Sequence, residues 1–167
     1  LFERMPLAHG TISIGSGRGI TSHQHNPAAI ICSPDTTEEH GSCYGMALLY
    51  SGNFTMDAQL DQMNQARVTM GISPEQFQYL LEAGEVFDTP QVLMTDSESG
   101  FAPLSHRFHH FIRHHICRGK YKLARRPVLI NNWEATYFDF DETKILEIGK
   151  QAAELGIEML VLDDGWY

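Results

Sequence analysis

The chain is short of positive charge. Its 167 residues carry 12 Lys and Arg against 21 Asp and Glu, a formal net charge of −9. An acidic surface repels phosphate backbones, which argues against nucleic-acid binding as the main activity. Long hydrophobic runs are also missing. No stretch approaches the roughly 20 apolar residues a membrane helix needs, and the opening residues do not read as a basic-plus-apolar leader. Neither a nucleic acid nor a membrane is expected as partner. Cysteine is sparse: Cys32, Cys43 and Cys117 cannot all pair within one chain, and none stands at Cys-x-x-Cys spacing. That favours free thiols and a reducing, cytoplasmic setting. No internal repeat or low-complexity tract is found.

What is present suits a globular fold: 43% hydrophobic and 10% aromatic residues with 20% charged. The length allows one domain, or one domain plus part of another. Leu1 is not an initiator Met, the first residues read as domain interior, and the chain stops just after the apolar run Met159–Leu162. A piece of a longer protein is the simplest expectation.

From residue 1 to about 100, short runs alternate between Gly and Pro punctuation. Thr11 to Ile14 alternates, as do Val68 and Met70; Ala28–Cys32, Met46–Tyr50 and Val92–Met94 are short apolar runs, with Ser51-Gly52-Asn53 as a turn. Phe77, Tyr79 and Leu81 are spaced by two, although Pro74 to Glu82 also fits the start of a short helix. Strands of this length between such turns predict an antiparallel, sandwich-like sheet.

The period then changes. Leu104, Phe108, Phe111, Ile112 and His115 recur at three and four, predicting an amphipathic helix over 101–118 with Gly119 as C-cap. The basic stretch Lys120–Arg126 reads as a linker, which sets a domain boundary there. Residues 127–167 then read as strand, helix, strand. Val128–Ile130 is the first strand. Asp141 caps a helix whose apolar face is Ile145, Ile148, Ala152 and Leu155, Gly156 ends it, and Ile157–Leu162 is the second strand. A crossover of this length predicts parallel strands.

In parallel α/β architectures ligands lie at the carboxyl ends of the strands. Asn131, Asn132, Trp133, Glu134 and Tyr137 follow the first strand, and Asp163, Asp164 and Trp166 follow the second. Carboxylates and amides hydrogen-bond hydroxyls, and a Trp face packs on a sugar ring, so Asn131, Trp133, Glu134, Asp163, Asp164 and Trp166 are candidate carbohydrate-binding residues. The plainer alternatives stay open: turn-forming acids at a strand end, a core Trp at the barrel mouth, and Asn131 and Glu134 holding the loop through backbone bonds.

His106, His110 and His114 recur at four, with His109 and His115 nearby. That spacing can chelate zinc, but no Cys or acid completes the set, so a solvated helix face is the expectation and no metal is assigned. His23–Pro27 reads as a structural polar turn. Gly15, Gly17 and Gly19 have no helix after them and do not form a phosphate loop.

The run Arg126 to Phe138, with Asn131-Asn132-Trp133-Glu134 at its centre, followed by Leu162-Asp163-Asp164-Gly165-Trp166, resembles microbial α-galactosidases of glycoside hydrolase family 36. Ser22–Pro27 and Leu104–Phe108 also resemble that family, so the likeness covers essentially the whole chain. The resemblance implies an α+β fragment: residues 1–100 as the later part of an antiparallel β-supersandwich, 101–126 as linking helix and linker, and 127–167 as the first β-α-β unit of a (β/α)8 TIM barrel. It implies a retaining hydrolase of terminal α-galactosyl groups of melibiose and raffinose, commonly tetrameric and without cofactor or metal. It places Asp163 and Asp164 on the hydroxyls at carbons 4 and 6 of galactose, with Trp133 lining the pocket. Its two catalytic aspartates lie on later barrel strands, so no catalytic residue is expected in this chain, which alone should be inactive. Two other readings compete. One is an α-N-acetylgalactosaminidase or galactosyl-transfer relative; the other is a non-catalytic sugar-binding or assembly module.

Overall fold

The computed structural model describes residues 3–21 and 23–167. Leu1 and Phe2, part of the opening read as domain interior, and Ser22 of the Ser22–Pro27 motif lie outside the described residues. The chain divides into two compact units, Leu1–Ile112 and Arg113–Tyr167. Small antiparallel sheets make up most of the regular structure, with few helices.

The first unit holds β1 (Gly10–Ser16), β2 (Ala28–Cys32), β3 (Cys43–Leu48), β4 (Phe54–Leu60), β5 (Ala66–Ile72), β6 (Val92–Ser97) and α1 (Phe101–Phe111). They form two three-stranded antiparallel sheets, ordered β1-β4-β5 and β2-β3-β6. The core sits on the two central strands: Cys43, Met46 and Leu48 on β3, and Phe54 and Met56 on β4, are buried. A central strand is paired on both edges, so its inward side chains lose most solvent. The hairpin from β4 to β5 is held by Asp61, whose Oδ1 accepts from the backbone N–H of Met63 at 2.8 Å and of Gln65 at 2.9 Å.

Helix α1 packs on β3 and β6, and its Leu104 is buried. Gly45 makes this possible: a Cβ there would stand 2.5 Å from Phe108 Cε2 and 3.1 Å from Leu104 Cδ2. Farther along, the predicted apolar face loses its cover, and Phe111 and Ile112 are exposed. The segment 74–91 departs from expectation, forming neither strand nor helix. The Phe77 and Tyr79 rings instead meet Phe87, at centroid distances of 6.0 and 4.6 Å. Alternation makes a strand only where a neighbouring strand takes up the backbone bonds, and among the described residues no strand pairs with Phe77–Leu81.

Helix α1 runs on into a wide helical turn at Ile112–Ile116, and the second unit begins within it at Arg113. Gly119 is not its cap; it sits in a turn closed by the Lys122 N–H on its carbonyl at 3.1 Å. Next come β7 (Leu129–Asn131), the single turn α2 (Trp133–Thr136), α3 (Glu142–Glu154) and β8 (Met159–Val161). Strands β7 and β8 pair in parallel, Leu129 with Met159, Ile130 with Leu160 and Asn131 with Val161. As expected, Asp141 caps α3, accepting from the Lys144 N–H at 2.8 Å. Its other end closes as a Schellman motif: Gly156 N–H to Ala153 O and Ile157 N–H to Ala152 O, each 3.0 Å. Leu155, expected on the apolar face, caps the helix instead and is 82% exposed. Ala152 is buried, with Ile145 and Ile148 half-buried.

Candidate functional site

Both polar clusters emerge at the carboxyl edge of the β7–β8 pair, because parallel pairing places the two strand ends side by side. Asn131 closes β7. Its Nδ2 donates to Asp163 Oδ2 at 2.6 Å, and its Oδ1 accepts the Trp133 N–H at 2.8 Å. The next residue, Asn132, is fully buried. Its backbone N–H continues the ladder to Val161 O at 3.3 Å. Its Oδ1 accepts the Asp163 N–H at 2.8 Å, and its Nδ2 donates to Thr136 Oγ1 at 2.9 Å. A buried amide must satisfy both ends, so Asn132 ties the start of α2 to the exit of β8.

The acids are held in sequence. Asp163 Oδ1 accepts the Asp164 N–H at 2.8 Å, and Asp164 Oδ1 accepts the Gly165 N–H at 2.9 Å. Asp164 Oδ2 has no hydrogen-bond partner among the described residues. Beside them stands an aromatic wall. The Trp133 ring meets Tyr137 at 5.3 Å and Phe138 at 4.8 Å, both edge-on. Tyr137 takes φ 49 and ψ −127 as it closes α2, a sparsely populated conformation of the kind found at working sites. A Cβ on Gly165 would stand 3.0 Å from Phe138 Cδ1, so the loop carrying both acids passes against the ring that braces Trp133.

The opposite edge is stapled by charge. Glu158 accepts the Val128 N–H at 2.9 Å and pairs with Arg125. The Arg125 hydrogen bond, aided by the Val128 N–H, holds the Glu158 carboxyl below the usual carboxylate range. Arg125, in the basic stretch expected to be a linker, is thus tied to Glu158, the residue just before β8.

The comparisons with known proteins now bear on this geometry. Residues 2–82 match the family model for the glycosyl hydrolase family 36 N-terminal domain, and residues 86–167 match the melibiase model. The chain belongs to glycosyl hydrolase family 36. Among its family 36 relatives, the bifunctional alpha-galactosidase/sucrose kinase AgaSK of Mediterraneibacter gnavus is 53% identical over 99% of this chain and 18% of its own length. Alpha-galactosidase AgaA of Geobacillus stearothermophilus is 48% identical over 99% of this chain and 23% of its own. The crystal structure of AgaA aligns with a TM-score of 0.88, and the galactosidase domain of AgaSK with 0.85, each over 99% of this chain and 23% of theirs. Variants of AgaA have been solved in complex with stachyose and with raffinose. The chain spans about a fifth of the length of these curated relatives.

Within this family 36 chain the candidates divide. Asn131, Trp133, Asp163 and Asp164 come together at one edge. Asn131 holds the loop through the Trp133 N–H, the plainer of its two sequence readings, and holds Asp163 as well. Glu134 is exposed and makes no side-chain hydrogen bond among the described residues. Trp166 is 72% exposed, with its ring 6.1 Å from that of Tyr167. Asn132 was missed as a site residue, yet it is the buried member that positions Asp163. Its signal was an Asn four residues before a Thr, directly after an apolar strand. Among the described residues no three His, Cys, Asp or Glu side chains gather as a metal ion requires. No helix among them is long and apolar enough to cross a membrane.

Proposed function

We propose that this chain supplies part of the galactose-binding rim of a retaining α-galactosidase that hydrolyses terminal α-D-galactosyl groups of melibiose- and raffinose-type oligosaccharides. In this reading residues 1–100 belong to a β-supersandwich, 101–126 link, and 127–167 are the first strand–helix–strand of a (β/α)8 barrel. The observation that carries it is the Asn131–Asp163 hydrogen bond across the parallel pair, which fixes an acid beside Trp133 at a strand exit. The raffinose and stachyose complexes of AgaA support the substrate class.

The geometry favours binding over bond cleavage for these acids. Both Asp163 oxygens already accept hydrogen bonds, from Asn131 and from the Asp164 N–H. An acceptor so engaged holds its charge and position, which suits a hydroxyl receptor better than a nucleophile or proton shuttle. Asp164 offers Oδ2 to a second hydroxyl, and Trp133 offers a flat apolar face to the sugar C–H groups. A retaining hydrolase needs a separate pair of carboxyls about 5 Å apart, which other segments of the enzyme supply. Glu134 and Trp166, both exposed, complete the rim in this reading.

The test is Asp164→Ala in the full-length enzyme with a chromogenic α-galactoside. Losing a charge-assisted hydroxyl contact of about 1.5–3 kcal/mol lowers kcat/KM by roughly 10–150-fold. The isolated 167-residue chain should show no turnover. An unchanged kcat/KM in the variant, or turnover by the chain alone, overturns the reading.

A further inference from the structure

Two thiols face each other on the β2–β3 hairpin, and the function above uses neither. Cys32 closes β2, Cys43 opens β3, and the antiparallel register sets them directly opposite. Directly opposed residues point to the same face of a sheet. The hydrogen-bond phase fixes the pair further. Ser33 N–H donates to Ser42 O at 3.0 Å, and Leu48 N–H donates to Pro27 O at 2.8 Å. Both belong to the same register, in which every second pair is hydrogen-bonded; Cys32 and Cys43 therefore occupy a non-hydrogen-bonded position. There the Cα atoms stand about 4.5 Å apart with side chains at their closest, inside the range a disulfide spans without backbone movement.

The hairpin cannot slip from this register. Arg4 donates to Thr36 O at 2.8 Å and to Pro34 O at 3.1 Å, and Thr36 Oγ1 bonds Ser42 O at 3.1 Å, so the connecting loop is pinned. The two sulfurs also differ in access. Cys32 lies on an edge strand and is partly exposed, whereas Cys43 is buried with its Sγ donating to Gly100 O at 3.4 Å. Burial pushes the Cys43 thiol up, and the nearby Cys32 adds to that.

We propose that Cys32 and Cys43 form a thiol–disulfide exchange site that takes a small-molecule disulfide and closes a cross-strand bridge between β2 and β3. The Cys32 thiol loses its proton, and its sulfur attacks the S–S bond of the small disulfide. A mixed disulfide forms and one small thiolate leaves. The Cys43 thiol then loses its proton and attacks Cys32 Sγ, expelling the second thiolate. Two protein thiols are oxidised to one disulfide while one small disulfide is reduced to two thiols, which take up the two protons. The bridge ties the edge strand to the central strand and withdraws the S–H that Cys43 donates to Gly100.

Oxidised glutathione is the probe. The folded full-length protein is incubated with it, quenched in acid, alkylated and mapped by mass spectrometry. In this segment two of the three thiols should disappear into a Cys32–Cys43-linked peptide, with Cys117 still alkylated. Cys117→Ser should leave the link unchanged. Cys32→Ser should abolish it. Amide exchange on the linked protein should retain the protection of β2 and β3. Glutathione persisting on Cys32 beside a free Cys43, a link to Cys117, no loss of thiols, or a link found only in protein whose sheet protection is gone would each overturn the proposal.

Discussion

Asn131 on β7 donates its side-chain amide to Asp163 beyond β8 at 2.6 Å, so strand register and acid placement are one and the same constraint. Slip the parallel pair by one residue and the amide faces away from the acid. Asn132 repeats the lesson from below, accepting the Asp163 N–H at 2.8 Å. Position in this rim therefore comes from amides, and charge from the acids they hold.

Replacing Asn132 by Ala should be costly. The Asp163 N–H and the Thr136 hydroxyl lose a buried partner, and an unsatisfied buried group costs about 1–3 kcal/mol. Denaturant unfolding of the full-length protein should show that loss. Activity on an α-galactoside should fall as well, because Asp163 is released. A variant as stable and as active as the parent would contradict the positioning role.

Exchanging Asp163 for Asn separates charge from shape. The amide oxygen can accept from Asn131 or from the Asp164 N–H, but only the carboxylate offers a separate oxygen to each. Stability should change by no more than about 1 kcal/mol, the worth of one ordinary hydrogen bond. The proposed hydroxyl contact, by contrast, loses its charge. KM for the galactoside should rise at least tenfold while the melting temperature moves little. Equal losses in both would mean the acid is structural only.

Gly165→Ala tests the contact between the acid loop and the aromatic wall. Gly165 has φ 86, and the new methyl would stand 3.0 Å from Phe138 Cδ1. The left-handed backbone costs a non-glycine residue about 1–2 kcal/mol, and Phe138 must yield by a few tenths of an ångström, carrying Trp133 with it. A lowered melting temperature together with changed Trp fluorescence is expected. Unchanged fluorescence would show that the loop does not brace Trp133.

Parts of this arrangement were legible from residue order alone. The alternation at Thr11–Ile14 and around Val68 became β1 and β5, and Ala28–Cys32 became β2 with the same limits. Asp141 and Gly156 ended α3 as expected because caps act locally. Strand β4 was not among the expected strands, although Phe54, Met56, Ala58 and Leu60 alternate with Thr55, Asp57 and Gln59, the pattern of a half-buried strand. Phe77, Tyr79 and Leu81 carried the same signal but found no partner strand. Only the local half of the Asn132 role, its bond to Thr136 four residues on, is written nearby in the sequence; its other partner, Asp163, is distant in sequence and close only through the parallel pair.

The last prediction concerns acid. Glu158 is held below its ordinary range by Arg125 and by the Val128 N–H. A carboxyl depressed in the fold binds its proton more weakly there than in the unfolded chain, where it titrates near pH 4.3. Its contribution is therefore complete above about pH 4.3 and disappears as pH falls through the lower, folded value. Glu158→Gln removes that titration. The stability gap between parent and variant should be constant at neutral pH and should shrink below about pH 4, as the parent carboxyl also becomes neutral. High salt should narrow the neutral-pH gap only in part. It screens the exposed Arg125 pair while leaving the Val128 N–H bond at 2.9 Å in place. Denaturant midpoints of the full-length protein, taken for both forms across pH and salt, decide it. A gap that stays the same down to pH 3 would show that the staple at the amino edge of β7 and β8 does not depend on the Glu158 charge.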